Sequence, residues 1–259
     1  MKKEINLSEE DLVRLFAGAK RKKADLIVSL ALFAGKALFV FALILAGYTV
    51  INFPAIKDKV AFWYLNDIKT AEVIVDQPGV GIIKTEDIAP TDVMPDMANN
   101  TIRIPALSIE APISWRVENT PALVAKGLAN GVIQLDGTSL PGEKGNIYVT
   151  GHSSNYVWAK GNYNSIFAII DKLLPGDLIY IKYNDTVFTY KTLDQKVVTA
   201  NDLSVLSQTE DSRLTLVTCW PVGTSYKRMV VTASQSSPSP ENNIAPANKP
   251  SFSTLPGAR

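Results

Sequence analysis

From Leu26 to Phe53 the chain reads LIVSLALFAGKALFVFALILAGYTVINF, an apolar run interrupted by a single charge, Lys36. As an α-helix rising 1.5 Å per residue it is roughly 40 Å long, enough to cross a hydrocarbon layer of about 30 Å. The part after Lys36, Ala37 to Phe53, is already near the shortest stretch that spans, with Lys36 reaching back to the near headgroups. A cleavable signal has a shorter apolar region and starts nearer the N-terminus, so the run reads as a retained anchor held by membrane lipid. Arg14, Lys20, Arg21, Lys22 and Lys23 precede it, whereas only Lys57 and Lys59, around Asp58, follow closely. The positive-inside rule then keeps residues 1–25 cytoplasmic and puts everything after about residue 54 outside, in a single-pass arrangement.

The remainder divides by composition. Residues 54–100 hold a possible short helix, AFWYLNDIKTAEVI, and a turn-rich piece, DQPGVGIIKTEDIAPTDVMPDMANN, which together read as a stalk lifting a domain off the bilayer. Residues 101–233 contain short β-branched and aliphatic segments between turn signals, among them GNIYVTGH, RLTLVTC and KRMVVTA. In DLIYIKYNDTVFTYKT, Asn184-Asp185 sits between two alternating runs and predicts a hairpin. Helix is expected only around TPALVAKGL, SIFAIIDKLL and ANDLSVL, so the pattern is mostly β and fits a barrel or a sandwich. Beyond Ala233 the Ser, Pro and Asn-rich tail, residues 234–259, is expected to be disordered. Its Leu255-Pro256 pair is not read as a processing signal, because no second apolar span follows it. With 26 basic against 25 acidic side chains the formal charge is +1, which offers no basic surface for nucleic acid.

The chain has one cysteine, Cys219, and one histidine, His152. A lone cysteine forms no internal disulfide and is often a small buried hydrophobe. Here, however, the thiol ends the strand-like run RLTLVTC, and Trp220-Pro221 then stops the ladder. His152 ends GNIYVTGH, where Gly151 is expected to let the backbone turn without strain. A thiol needs a partner near neutral pH: a cation stabilises the thiolate, and an imidazolium can protonate a leaving amine. Arg228 follows Cys219 at antiparallel hairpin spacing and could hold a developing oxyanion. Lys227 competes with it, since neighbours on a strand point to opposite faces.

These residues, taken together, resemble the sortase family of membrane-anchored cysteine transpeptidases. Thr215-Leu216-Val217-Thr218-Cys219 matches the family's Thr-Leu-X-Thr-Cys, Gly151-His152 its strand ending in Gly-His, and Arg228-Met229-Val230-Val231 the arginine before paired valines, which selects Arg228 over Lys227. The segments TIRIPALSIEAPI and SIFAIIDKLLPGDLIYI are also similar to family segments. The resemblance covers about Thr101 to Ala233 and implies a closed, mostly antiparallel eight-stranded β-barrel with the thiol on the floor of a groove. It implies Cys219 as nucleophile, His152 as general acid/base and Arg228 as oxyanion or substrate stabiliser, with Thr218, Val217 and Trp220 on the substrate side. The implied substrates are secreted proteins with a C-terminal Leu-Pro-type sorting signal, and the acceptor is an amine of a cell-wall precursor or of another protein. No organic cofactor is implied, and no acidic cluster suggests calcium or another metal. Three rivals remain in view: a D-amino-acid wall cross-linking transpeptidase, whose Ser-X-Gly-Cys setting Val217-Thr218-Cys219 does not fit; a cysteine protease delivering the same thioacyl group to water; and a non-catalytic envelope-binding β-domain.

Overall fold

The computed structural model describes residues 8–71, 96–155, 159, 161–245, 252 and 254–256. It falls into two compact units, Met1–Val50 and Ile51–Arg259. The first lies on helix α1, Glu9–Ile51, within which Leu26–Ile51, at mean hydropathy 2.4, is long and apolar enough to cross a membrane.

The second unit is built on eight strands: β1 (Thr101–Ile104), β2 (Ile109–Val117), β3 (Val132–Leu135), β4 (Gly145–Thr150), β5 (Leu178–Tyr183), β6 (Thr186–Thr199), β7 (Ser212–Trp220) and β8 (Lys227–Ser237). They close into a barrel in the order β1-β2-β3-β4-β7-β8-β6-β5. Closure removes every sheet edge, which settles the barrel against the sandwich. Pairing is antiparallel except at β2–β3 and β4–β7. The expected hairpin joins β5 to β6, with Asn184 and Asp185 both at positive φ, as a two-residue type I′ turn demands.

Side-chain alternation sorts each strand into an inner and an outer row. Ile102 and Ile104 of β1, Ile147 and Val149 of β4, Ile179 and Ile181 of β5, Leu214 and Leu216 of β7, and Val231 and Ala233 of β8 all enter one buried cluster. Tyr148, Val217 and Val230, one position out of phase, form a separate cluster on the outer face with Leu135, Val205 and Leu206. The site lies on this outer face.

Local structure departs from expectation in four places. The segment around SIFAIIDKLL forms turns and one 3-10 turn, Ile170–Lys172, because Phe167, Ala168, Ile169, Ile170 and Leu173 are all buried and a one-sided helix cannot bury so many consecutive residues. TPALVAKGL does form a helix, α3, Pro121–Ala129, while ANDLSVL forms a 3-10 turn, Leu203–Leu206, whose start is capped by Asp202 accepting from Ser204 N–H. Residues assigned to a stalk begin with helix α2, Phe53–Ala71, which lies against the barrel. Ala55 is buried in the barrel cluster, Phe62 packs on it, and Ser165 donates to Asp58 at 2.8 Å. Positions 55, 58, 59 and 62 share one helical face, so the helix carries its own docking stripe; the rest of that expected stalk, 72–95, lies outside the described residues.

The fourth departure is the tail. β8 runs to Ser237, and residues 238–245 stay on the barrel through polar side chains. Asn243 donates to Ser212 Oγ at 2.7 Å and to Gln235 Oε1 at 2.9 Å, Gln235 donates to the Pro238 carbonyl at 2.7 Å, and Lys144 N–H donates to the Ile244 carbonyl at 2.7 Å. A composition poor in core-forming residues suggested disorder; amide side chains hold the segment instead, by satisfying backbone and hydroxyl groups.

Candidate active site

Cys219 and Arg228 are directly opposed across the antiparallel β7–β8 ladder, so their side chains rise from the same face of the sheet. Lys227 pairs with Trp220 and therefore belongs to the other face. The third residue comes from the parallel ladder between β4 and β7. Its last pair is Thr150 with Val217, and the next residues of equal parity on the two chains are His152 and Cys219. Gly151 N–H still donates to the Val217 carbonyl at 3.2 Å beyond the end of β4, which keeps the two segments in step. Register thus sets Cys219 opposite Arg228 on the outer face and carries the chain toward the same end of β7 at His152.

The thiol is 5% exposed and packs with Val124 and Leu128 of α3 and with Ile133. This apolar setting pushes the Cys219 pKa above the ordinary thiol value, opposed by the Arg228 guanidinium, which favours the thiolate. Burial pushes His152 below the ordinary imidazole value. Arg228, 7% exposed, donates from Nη1 to the carbonyls of Ser225 and Lys227, both at 3.0 Å. These bonds fix one end of the guanidinium to its own turn. No ion pair among the described residues involves Arg228.

Two cavities adjoin the site. The larger, about 660 Å³, is lined by Asn119, Val124, Leu128, His152, Asn155 and Leu255, among others. The smaller, about 320 Å³, is lined by Asn52, Ser154, Asn155, Cys219, Gly223 and Ser225, among others. Gly223 N–H donates to Ser154 Oγ at 2.9 Å, tying the β7–β8 turn to the loop that follows His152. Gly223 has φ +86, a left-handed backbone that favours glycine, and a Cβ there would also come within 2.6 Å of Asn52 Oδ1, just before α2.

The residues expected around the nucleophile separate. Val217 lies on the same outer row as Cys219 and is fully buried in the outer cluster. Thr218, expected to line the groove, points to the opposite face: its Oγ1 donates to the Gly151 carbonyl at 2.8 Å, where it holds the residue before His152. Trp220 also has the opposite parity; it packs against the barrel cluster, and Lys59 Nζ of α2 sits 5.2 Å from its ring centroid. Gly151 does not serve a strain-free turn through special backbone freedom: its φ is not in the left-handed region. A Cβ there would lie 2.8 Å from Phe167 and 3.0 Å from Val132, so close packing explains the glycine.

Sequence reasoning passed over Tyr148. It shares the outer row of β4 with Thr150, is fully buried, and feels the charges of Arg228 and Cys219. Burial holds its phenol well above the usual value, so it stays protonated. The signal was available: Tyr148, Thr150 and His152 are spaced by two. Asn52, just before α2, and Lys59, within it, in contrast, reach the neighbourhood from outside the barrel, and no local pattern announces them.

Among the described residues no group of three or more His, Cys, Asp or Glu side chains is placed to hold a metal. The sortase domain family model matches residues 102–236, a segment that contains Cys219, His152 and Arg228. Sortase D of Bacillus subtilis (strain 168) is 30% identical over 138 residues, 52% of this chain and 62% of that protein. Sortase A of Bacillus anthracis is 27% identical over 157 residues, 61% of this chain and 66% of that protein. The matched part thus spans slightly under two thirds of these curated relatives. Sortase C from Clostridium perfringens SM101, a solved structure, is 29% identical with TM-score 0.42, covering 52% of this chain and 68% of that one. With the family model matched over more than half of its length, and with a closed eight-stranded barrel beneath it, the chain belongs to the sortase family, whose members are cysteine transpeptidases.

Proposed function

We propose that the chain is a membrane-anchored transpeptidase that cleaves a Leu-Pro-type sorting signal of secreted proteins and passes the acyl group to an amine of the cell wall or of another protein. The Cys219 thiolate attacks the scissile carbonyl carbon, and the oxygen that gains charge is met by the Arg228 guanidinium. The C–N bond breaks as the leaving amine takes a proton from His152, leaving a thioester on Cys219. An incoming amine gives its proton to His152 and attacks the thioester; the new amide forms and the thiolate departs. In this reading the apolar helix anchors the chain and the domain after it lies outside the membrane, where secreted proteins emerge.

The observation that carries the reading is the shared register: opposed Cys219 and Arg228, with His152 two steps past the last β4–β7 pair. The mixed walls of the larger cavity, with Val124 and Leu128 facing His152 and Asn155, suit a peptide bearing an apolar anchor. Water in place of the amine would make the same machinery a protease. The full chain in detergent micelles, incubated with a Leu-Pro peptide with and without an added amine, separates the two. Amide product at the expense of acid is expected; acid alone at every amine concentration would overturn transfer.

A further inference from the structure

Leu255 and Thr254 line the larger cavity together with His152. Their presence there is anchored at several points. Phe252 and Leu255 pack against the outer-face cluster containing Tyr148, Val205, Leu206 and Val217. Asn119 Nδ2 donates to the Thr254 carbonyl at 2.8 Å and to its Oγ1 at 3.3 Å. Pro256 is buried. The tail therefore lays an apolar side chain followed by proline over the outer row that carries Val217 and Cys219.

We propose that Phe252 and Thr254–Pro256, from the chain's own C-terminal segment, occupy the sorting-signal groove in cis as a built-in competitor. The inference rests on the transpeptidase reading for what it competes with, though not for the docking itself. A Leu-Pro signal that reaches His152 through this cavity needs the volume and the apolar wall that Leu255 uses, so the two occupancies exclude each other. The tether makes the contest uneven. Ile244 is pinned to the barrel by Lys144 N–H and Gly142 O, at 2.7 and 3.2 Å, and Thr254 follows ten residues later. A tether of that length gives an effective concentration of order millimolar, against which a free peptide must compete. The occupied fraction is lost to substrate, which raises apparent KM without touching the bond-making step.

Two measurements on the full chain in micelles test this. The first is kinetic: Leu255→Asp should lower KM for a Leu-Pro peptide by roughly 3- to 10-fold with kcat unchanged, and Leu255→Met should keep the parent KM. The second needs no activity. In a Cys219→Ser background, Asn119→Cys with Thr254→Cys should be bridged within one chain by dibromobimane, which joins thiols only a few ångström apart. A bridge together with a lowered KM supports the competitor. Equal KM values in the parent and Leu255→Asp, with cleavage intact, would overturn it, as would no bridge or one that joins two chains. If neither chain cleaves any peptide, the transpeptidase reading fails, and the bridge alone then decides whether the tail docks.

Discussion

The two faces of β7 differ by one residue of register and by everything else. Leu214 and Leu216 point inward and are fully buried among aliphatic neighbours from β4 and β8. Thr215, Val217 and Cys219 point outward, where Thr215 donates to Asn146 at 2.7 Å, Val217 floors the outer cluster, and Cys219 faces Arg228. The inner row needs only volume and shape, so it fixes the barrel. The outer row needs particular atoms at particular heights. A slip of one residue would send the thiol into the core and Thr218 into the groove; the closed barrel, with both neighbours of β7 paired along its length, prevents it.

That contrast can be broken from either side. Replacing His152 by Ala should lower turnover at least about 10³-fold while leaving thermal unfolding near that of the parent, because on the proposed mechanism it removes the proton carrier from an outer-face site. The intact site should also show a distinctive pH profile. On the proposed mechanism the productive form is thiolate with imidazolium, yet Cys219 is pushed up and His152 down, so between the two the abundant form is thiol with neutral imidazole and the productive form is a constant minority. Acidification below the His152 pKa adds a proton the thiolate must lose; alkalinisation above the Cys219 pKa removes the one His152 must give. The expected kcat/KM curve is a broad plateau with its acid limb below about 6.5 and its alkaline limb above about 8.5. Since Arg228 favours the thiolate, Arg228→Gln should move the alkaline limb still higher.

Arg228→Lys keeps the charge and loses the planar fork, so a loss of about 10²-fold in kcat is expected, with KM little changed. Thr218→Val frees the carbonyl before His152; at about 1 kcal/mol for one hydrogen bond, turnover should drop roughly 5-fold. Leu216→Ala closes the series from the inner face. It should cost roughly 2–5 kcal/mol of stability, read as a lower denaturation midpoint, with turnover per folded molecule within about 2-fold of the parent. A Leu216→Ala protein that keeps its stability and loses its turnover would erase the distinction between the rows.

Much of this was legible in the sequence for reasons of locality. The start of β1 at Thr101, the Asn184-Asp185 hairpin and the pairing of Cys219 with Arg228 are each set within a few residues of a turn. His152 is a different case. It stood out as the chain's only histidine at the end of a strand-like run, but its approach to Cys219 depends on parallel pairing between β4 and β7, strands separated in sequence by β5 and β6, which no local pattern predicts. The reason for Gly151 was hidden for the same cause, since Phe167 meets it only in the folded barrel. Thr218 illustrates a misread parity: adjacency to Cys219 in sequence is what sends it to the other face. The tail and α2 were read by composition, which weighs apolar content and overlooks amides that satisfy backbone groups or four side chains on one helical face.

The most direct test of the outer-face site is the intact mass of the chain after rapid quenching from a Leu-Pro peptide in the absence of added amine. The account expects a thioester adduct equal to the acyl half of the peptide, mapped to Cys219 and removed by hydroxylamine, and no adduct in Cys219→Ala. Cleavage that proceeds at the parent rate in Cys219→Ala, or an adduct mapped to any other residue, would contradict it.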